Sequence, residues 1–463
     1  MIRLYDTAWG EVRDLSLRTP GRVSMYVCGP TVDNLPHLGH GRFTLVWDVA
    51  RRWFTFQGLS VHYVSNITDV DDKIITRARR ESRTETEVAA ECEAQWWDAM
   101  DRLGVFRPDD SPHATDYVPE MVELIASFLE RDVAYATSDG VYFDVSSVAD
   151  YGLLAGQPLA SLRAGARVEE NDEKRSPLDF ALWKNAKPDE PSWPAPFGEG
   201  RPGWHTECVV MSLGLLGEGF DLHTGGLDLK FPHHENERAQ AEAAHRAFAR
   251  HWAHHGWVMV GDEKMSKSLG NFTSLTDLLE KTDPRAYRLL VLRSHYRSPI
   301  DITPSSIADA ERALERLDAL ARRFDLPALG GNHLELASSQ PWAEETLELY
   351  ELVVAYMNDD LNTPLAVAGL FDALSAANAS ADQGRLASAR RLAQAINSLF
   401  GAMGLSLLAS SHPLDEVAEQ LVAERDAARA AGNWPEADRL RHELVIRGWI
   451  VEDGASGTVI RRP

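Results

Sequence analysis

The sequence predicts an α/β domain, split by an insertion and followed by helices and a small tail. Three observations carry this expectation. The first 70 residues read strand, helix, strand. A Pro- and Gly-rich stretch from Lys187 to Gly203 interrupts the pattern before it resumes. Beyond about Pro304 the chain turns to Ala, Leu, Arg and Glu with helical period. With 463 residues there is enough chain for about three domains, each with its own core.

Residues 23–28 (VSMYVC) form a short buried strand ended by the turn pair Gly29-Pro30. From Leu38 to Phe56, apolar residues at Phe43, Val46, Trp47, Ala50, Trp53 and Phe54 recur every three or four positions, predicting a helix that Gly58 stops. VHYVSNI at 61–67 alternates as a strand, and strand, helix, strand in this order implies a parallel crossover. Helices are expected at 84–106 and 117–131, strands at 140–146 and in FDLHTG, and a helix from about Pro232 to Trp252. A loop rich in Lys and Ser follows at 264–271. Further helices are expected over 305–325, 341–358, 364–378 and 383–402, separated by linkers at 326–340 and 404–413. The last 50 residues read as helices near 415–431 and 435–447 and a short β-like tail.

Apolar content of 44% with 25% charged residues is that of a globular chain. A net charge of −23 argues against non-specific nucleic-acid coating and against attraction to anionic membranes, while leaving room for a local basic groove. Three cysteines, Cys28, Cys92 and Cys208, cannot build a disulfide framework; reduced thiols point to the cytoplasm. The N-terminus lacks an apolar signal region and no apolar run approaches 18 residues, so no membrane partner is expected. With no coiled-coil heptads, a monomer is the expectation.

His37-Leu38-Gly39-His40 places two histidines three apart on one helix face, at the helix start. Unpaired N–H groups and positive potential make that end a phosphate site. Gly39 removes a side chain, letting a flat ring such as adenine lie on the backbone, and the two imidazoles can donate to a phosphoryl group as its charge redistributes. Taken alone, the motif reads more readily as a helix cap with two surface histidines. Lys264-Met265-Ser266-Lys267-Ser268 puts two ammonium groups in a polar loop, which suits a triphosphate, although such a run alone is often only a solvated basic loop. The two runs together, in this order and about 225 residues apart, resemble the paired motifs of class I aminoacyl-tRNA synthetases.

Phe231-Pro232-His233-His234-Glu235-Asn236-Glu237 opens a helix with Pro in its first turn. His233 and Glu237, four apart, share a face, as two metal ligands would; His234 with Glu237 is also possible. Cys28 and Cys208 would complete a zinc set, but the 179 residues between them are unreadable as a metal motif, and taken alone two buried core cysteines account for them more readily.

MYVCGPTV, HLGH, NITDVDDKI, GRPGWHTECVVMS, FPHHENE and KMSKSLGN together resemble the cysteinyl-tRNA synthetase family, in that family's order and over essentially the whole chain. The resemblance implies a Rossmann-type class I synthetase catalytic core with an inserted connective segment, then an α-helical bundle and a small C-terminal α+β domain. The corresponding units are 1–115, the first half of the catalytic domain; 116–200, the insertion; 201–303, its second half; 304–405, the bundle; and 412–463, an anticodon-binding domain. Carried over, Cys28, Cys208, His233 and Glu237 hold one Zn²⁺ per chain. That zinc selects the thiolate of L-cysteine over the hydroxyl of serine, which a small pocket alone discriminates poorly. His37, His40, Lys264 and Lys267 are the implied catalytic residues, Gly39 and Lys267 contact ATP, which arrives with Mg²⁺, and Thr31, Thr68, Trp204 and His223 form the amino-acid pocket. The implied reaction is attack of the cysteine carboxylate on the α-phosphorus of ATP, then transfer of cysteine to the 3′-terminal ribose of tRNA-Cys. Asp33-Asn34-Leu35-Pro36 departs from a frequent family pattern, in which an aromatic residue precedes the first histidine. The carboxylates Asp69, Asp71 and Asp72 read as a helix cap and turn.

In the tail, Arg429, Trp434, Asp438 and Asp453 resemble anticodon-contacting positions: a ring to stack on a base, Arg and Asp to read base edges. Arg312, Arg316, Arg322 and Arg323 in the first helix after the core read as partners of Glu on a helix surface. Two other readings share these residues. A mycothiol-pathway type of ligase joining cysteine to a sugar amine resembles the same core, but would lack the tail module and continue its lysine loop with Arg-Gly instead of Leu269-Gly270. A non-catalytic paralogue would not need all three constellations.

Overall fold

The computed structural model describes residues 1–156, 172–260, 263–264, 274–329, 342–409, 416–447, 449–454 and 457–461. A hairpin, β1 (Arg3–Asp6) and β2 (Glu11–Asp14), precedes β3 (Arg22–Val27), α1 (Leu38–Phe56) and β4 (Ser60–Ser65). β3 and β4 pair in parallel, with Met25 opposite Tyr63. After β4 come α2 (Asp72–Glu81), α3 (Glu85–Arg102), α4 (Val118–Glu130), β5 (Ala134–Ala136), β6 (Gly140–Phe143), β7 (Phe180–Asn185), β8 (Gly200–Pro202) and α5 (Trp204–Leu216). The chain then returns to the central sheet through β9 (Leu222–Gly226), α6 (Glu235–Ala243) and β10 (Trp252–His255).

The central sheet is parallel throughout, in the order β10-β9-β3-β4. β3 therefore lies between its successor β4 and the later strand β9, so the strand order reverses there. In open α/β sheets, ligands bind at that reversal, outside the carboxyl ends of the strands. The inserted strands β5 to β8 form a separate antiparallel sheet over their own core, which includes Phe128, Phe143 and Trp183.

Beyond β10, β11 (Val258–Val260) pairs with β12 (Glu263–Lys264) and, in parallel, with β13 (Ile300–Asp301). Between them lie α7 (Leu275–Lys281) and α8 (Pro284–Leu292). Four longer helices follow: α9 (Pro304–Phe324), α10 (Glu344–Asn358), α11 (Thr363–Asp382) and α12 (Leu386–Ala402). Their Leu317, Leu370 and Phe400 share one continuous core with Trp53 and Phe54 of α1. The tail, α13 (Glu416–Ala430), α14 (Trp434–Ile446), β14 (Ile450–Gly454) and β15 (Gly457–Arg461), encloses a separate core of Leu421, Leu440, Leu444, Trp449 and Ile460. Among the described residues, no helix is long and apolar enough to cross a membrane.

The helix expected from Pro232 to Trp252 is shorter. Phe231 is extended, α6 ends at Ala243, His245 has positive φ, and Trp252 opens β10. The sheet decides this: Trp252 pairs with His223 and Ala253 with Thr224, so helical preference yields to strand pairing. Asp71 caps α2 through Lys73 N–H and Asp72 lies in its first turn, in keeping with the cap expected there. The sequence pattern misses α5 because its apolar residues surround the helix instead of marking one face.

Asp48 joins this architecture at one buried point. Its Oδ2 accepts from Arg52 Nε at 2.8 Å and from the Arg288 guanidinium of α8 at 2.6 Å, while Oδ1 accepts from Phe106 N–H at 3.0 Å. Burial raises the carboxyl pKa, but Arg52 and Arg288 outweigh it and hold it below its ordinary value. The group thus contributes stability above the ordinary carboxyl pKa and loses it only as pH falls through the lower folded value. Asp48→Asn strands two buried guanidiniums and is expected to cost about 3–5 kcal/mol, seen as a lowered denaturation midpoint.

Candidate active site and metal centre

At the carboxyl ends of β3, β9 and β10 lies a cavity of about 610 Å³. Cys28, Gly29, Pro30 and Thr31 form one wall, His37, Gly39 and His40 the next, and Gly256, Trp257 and Val258 the far side; Trp204, Asp228 and Lys73 also line it. The turn after β3 must be glycine. A Cβ at Gly29 would lie 1.7 Å from the Asn66 carbonyl oxygen.

His37 is the N-cap of α1 and His40 its third residue, and each caps the other. His40 N–H donates to His37 Nδ1 and His37 N–H to His40 Nδ1, both at 3.3 Å, with the rings stacked at 3.7 Å. Because each Nδ1 accepts, each neutral ring carries its proton on Nε2. The helix-cap and phosphate-site readings thus describe one arrangement. Arg42, one turn along, donates to the carbonyls of Trp257 at 2.6 Å, Tyr296 at 3.1 Å and Ser298, fixing the far wall of the cavity to α1. Burial lowers this guanidinium to about 10.

Both ends of the lysine-rich segment are anchored beside the cavity. Lys264 pairs with Met259 in the β11–β12 ladder. Where the chain resumes, Ser274 bridges to His37 and Leu275 N–H donates to the Pro36 carbonyl at 2.9 Å. Lys267 lies outside the described residues.

Behind the cavity wall, Cys28, Cys208, His233 and Glu237 present one ligand atom each, all within 4.8 Å of one another and all buried. Cys28 follows β3, Cys208 lies on α5, and His233 precedes α6, which carries Glu237. Cys28 Sγ is 3.6 Å from Cys208 Sγ and 3.5 Å from Glu237 Oε1; His233 Nε2 is 2.9 Å from Glu237 Oε1 and 3.6 Å from Cys208 Sγ. Burial raises the Glu237 pKa, but His223 and His233 hold it well below the carboxylate range. Burial lowers that of His233, yet Glu237 and Cys208 take it up to about 10. Burial and neighbouring Cys208 push Cys28 well up; Cys208 itself is raised by burial but brought down to about 6 by hydrogen bonds with Cys28 and His233. Two buried thiols, an imidazole and a carboxylate, with Cys28 also lining the cavity, form a donor set that fits a soft divalent cation.

Of the residues expected in the amino-acid pocket, Thr31 and Trp204 line the cavity, and the Trp204 ring stacks on His233 at 4.0 Å. His223 and Thr68 do not line it. His223 is fully buried with Nε2 2.7 Å from Glu237 Oε2, and the Thr68 hydroxyl donates to Glu207 Oε2 at 2.8 Å. Sequence reasoning missed His205, whose Nδ1 is 2.9 Å from His233 Nδ1, and His254, which supports His234. The density of histidine in WHTE, PHH and WAHH is the signal that could have drawn attention to them. In the tail, Trp434 is 60% exposed, so it does not anchor the two helices to each other. Arg429 is half-buried on α13, Asp438 is exposed on α14, and Asp453 falls in β14. In the bundle, Arg312 pairs with Asp309 and Arg323 with Asp382, as ordinary helix-surface partners.

Three family models match the chain: "tRNA synthetases class I (C) catalytic domain" over residues 15–312, "DALR domain" over 353–408, and "Cysteinyl-tRNA ligase anticodon binding domain" over 411–461. The chain is 45% identical over 475 residues to the cysteine–tRNA ligase of Methylobacillus flagellatus, covering 100% of each. It is 43% identical over 479 residues to that of Laribacter hongkongensis, again covering 100% of each. Among solved structures it resembles Mycobacterium tuberculosis methionyl-tRNA synthetase in complex with methionyl-adenylate, with a TM-score of 0.59 at 15% identity over 82% of this chain and 89% of that one. It also resembles the Agrobacterium radiobacter LeuRS–tRNA–LeuAMS complex, with a TM-score of 0.62 at 13% identity over 85% of each. At such identities the likeness speaks for the class I fold.

Proposed function

This chain belongs to the cysteinyl-tRNA ligase family, and from that premise we infer how its own residues carry out ATP-dependent, AMP-forming joining of cysteine to tRNA. The observation that carries the inference is a buried Cys28–Cys208–His233–Glu237 cage on one wall of a cavity whose next wall is the N-terminus of α1. We assign one Zn²⁺ to the cage; bound there, it supplies a soft Lewis acid that takes a thiolate far more readily than an alcohol.

The reaction has two steps. The cysteine carboxylate attacks the α-phosphorus of ATP and pyrophosphate leaves; a ribose hydroxyl at the tRNA 3′ end then attacks the adenylate carbonyl and AMP leaves. His37 and His40, with protons on Nε2, donate to phosphate oxygens as charge builds, at a helix end already positive. Lys264 and Lys267 add point charges to the triphosphate, whose Mg²⁺ accompanies it. Gly39 opens space for the nucleotide. Trp204 and Thr31 form the wall against the substrate side chain; His223 fixes Glu237 from behind, and Thr68 fixes Glu207. We divide the chain into catalytic units at 1–115 and 201–303 around an insertion at 116–200, with the bundle at 304–405 and the tail at 412–463.

The anticodon-binding domain supplies the tRNA side. Trp434 stacks on a base of tRNA-Cys, while Arg429, Asp438 and Asp453 read base edges. That domain also disfavours a sugar-amine acceptor. We take the working form as a monomer in the cytoplasm, a compartment that suits three unpaired cysteines.

The direct test is ATP-dependent attachment of labelled cysteine to total tRNA, with serine run beside it. Cysteine charging without serine charging supports the assignment; equal charging of both would sink the thiolate-selective cage. Removing residues 412–463 is expected to leave cysteine-dependent ATP–pyrophosphate exchange intact. Charging should fall by about 10²-fold, as expected for a few lost base contacts at roughly 1–3 kcal/mol each.

A further inference from the structure

The buried donors around Cys28 form two ligand sets, not one. Besides Cys28, Cys208, His233 and Glu237, the atoms of Cys28, His223, His234 and Glu237 also lie within 4.8 Å of one another, and all are buried. The sets share Cys28 and Glu237, so they are alternative seats for a single ion. We propose that Cys28, His223, His234 and Glu237 are a second metal seat, which retains the ion when Cys208 and His233 are withdrawn. This rests on the reading that the cage holds Zn²⁺.

His234 has the surroundings of a metal-bound imidazole. Its Nε2 lies 3.2 Å from Cys28 Sγ, while its Nδ1 is 2.9 Å from His254 Nε2, and His254 Nδ1 is in turn 2.7 Å from the Thr7 hydroxyl. Such outer chains orient a ligating ring and set its tautomer. The first seat does not use this support.

His223 shows the complementary property. Its Nε2 faces Glu237 Oε2 at 2.7 Å, but its buried Nδ1 has no hydrogen-bond partner. No partner at Nδ1 therefore locks the ring as a donor to Glu237. Moving the proton to Nδ1 turns the Nε2 lone pair toward the same carboxylate and thiolate. The cost is one unpartnered buried N–H, small beside the affinity with which a structural site holds Zn²⁺.

Charge favours the second seat as well. A dication among two thiolates and a carboxylate leaves one negative charge uncompensated in a dry interior. Among one thiolate and one carboxylate it is neutral, and burying an uncompensated charge is costly. Against this, the first seat offers a second sulfur ligand, which a soft ion prefers. The first seat should hold the ion in the intact protein and the second should catch it when sulfur is removed.

The test reads metal content of the full-length protein after gel filtration, with folding followed by circular dichroism. The wild type should carry about one zinc per chain, as a four-ligand site does. Cys208→Ser/His233→Ala should keep about one zinc per chain, whereas Cys208→Ser/His234→Ala should fall below about a tenth of that, since it leaves neither seat complete. Should either double variant fold poorly, Co²⁺ loaded into the single Cys208→Ser variant gives a second readout. One thiolate charge-transfer band should survive there and disappear when His234→Ala is added. A folded Cys208→Ser/His233→Ala protein without metal, or equal retention in both double variants, overturns the second seat. A metal-free wild type would instead overturn the cofactor assignment beneath it.

Discussion

His40→Ala is expected to lower cysteine-dependent ATP–pyrophosphate exchange by about 10²–10³-fold, the usual cost of removing one donor aimed at a charge-building phosphoryl group. The ring does two things at once: its Nδ1 accepts the His37 N–H at 3.3 Å, and its remaining proton is on Nε2. Alanine removes both the donor and half of the reciprocal cap. His40→Gln separates them, because Gln at the third helical position can still reach back to the cap N–H. The Gln variant should therefore melt close to the wild type while exchange remains depressed. Wild-type exchange in His40→Ala would remove this histidine from the catalytic assignment.

Cys28→Ala should be the more severe change, since Cys28 belongs to both donor sets. We expect metal content to fall below about a tenth of the wild-type value and cysteine activation to drop by at least about 10³-fold. Without the cage, a pocket telling sulfur from oxygen retains only the few kcal/mol that shape can supply. Discrimination against serine should collapse in parallel, measured as the ratio of cysteine to serine exchange. A variant that holds no metal yet still prefers cysteine over serine as strongly as the wild type would show that selection lies elsewhere, with the Trp204 wall the first place to look.

Some of this site was legible in the sequence and some was not, for physical reasons. The bounds of α1 are readable because its buried face repeats every three to four residues and Gly58, at φ +84°, stops it. His37 and His40 are neighbours along the chain, so local spacing fixes their geometry. The metal donors are not: Cys28 and Cys208, 180 positions apart, meet only because β3 and α5 pack together, and no local period encodes that. The family resemblance implies His223 as a substrate contact, and nothing in its local sequence speaks for or against that. Its burial against Glu237 is set by the pairing of β9 with β3 and β10, a long-range property. α5 escaped notice for the opposite reason: its apolar residues are so evenly distributed that no stripe appears.

Trp53 and Phe54 share a continuous apolar interior with Leu370 and Phe400, whereas Leu421, Leu440 and Trp449 enclose a different one. In calorimetric terms, this divides the molecule unevenly. The parallel sheet and the four-helix region cannot lose their interiors separately, so they should absorb heat as one cooperative event despite lying in different sequence families. The tail should produce its own smaller endotherm, and a ligand that binds only in the cavity should raise the temperature of the large event while leaving the small one where it was.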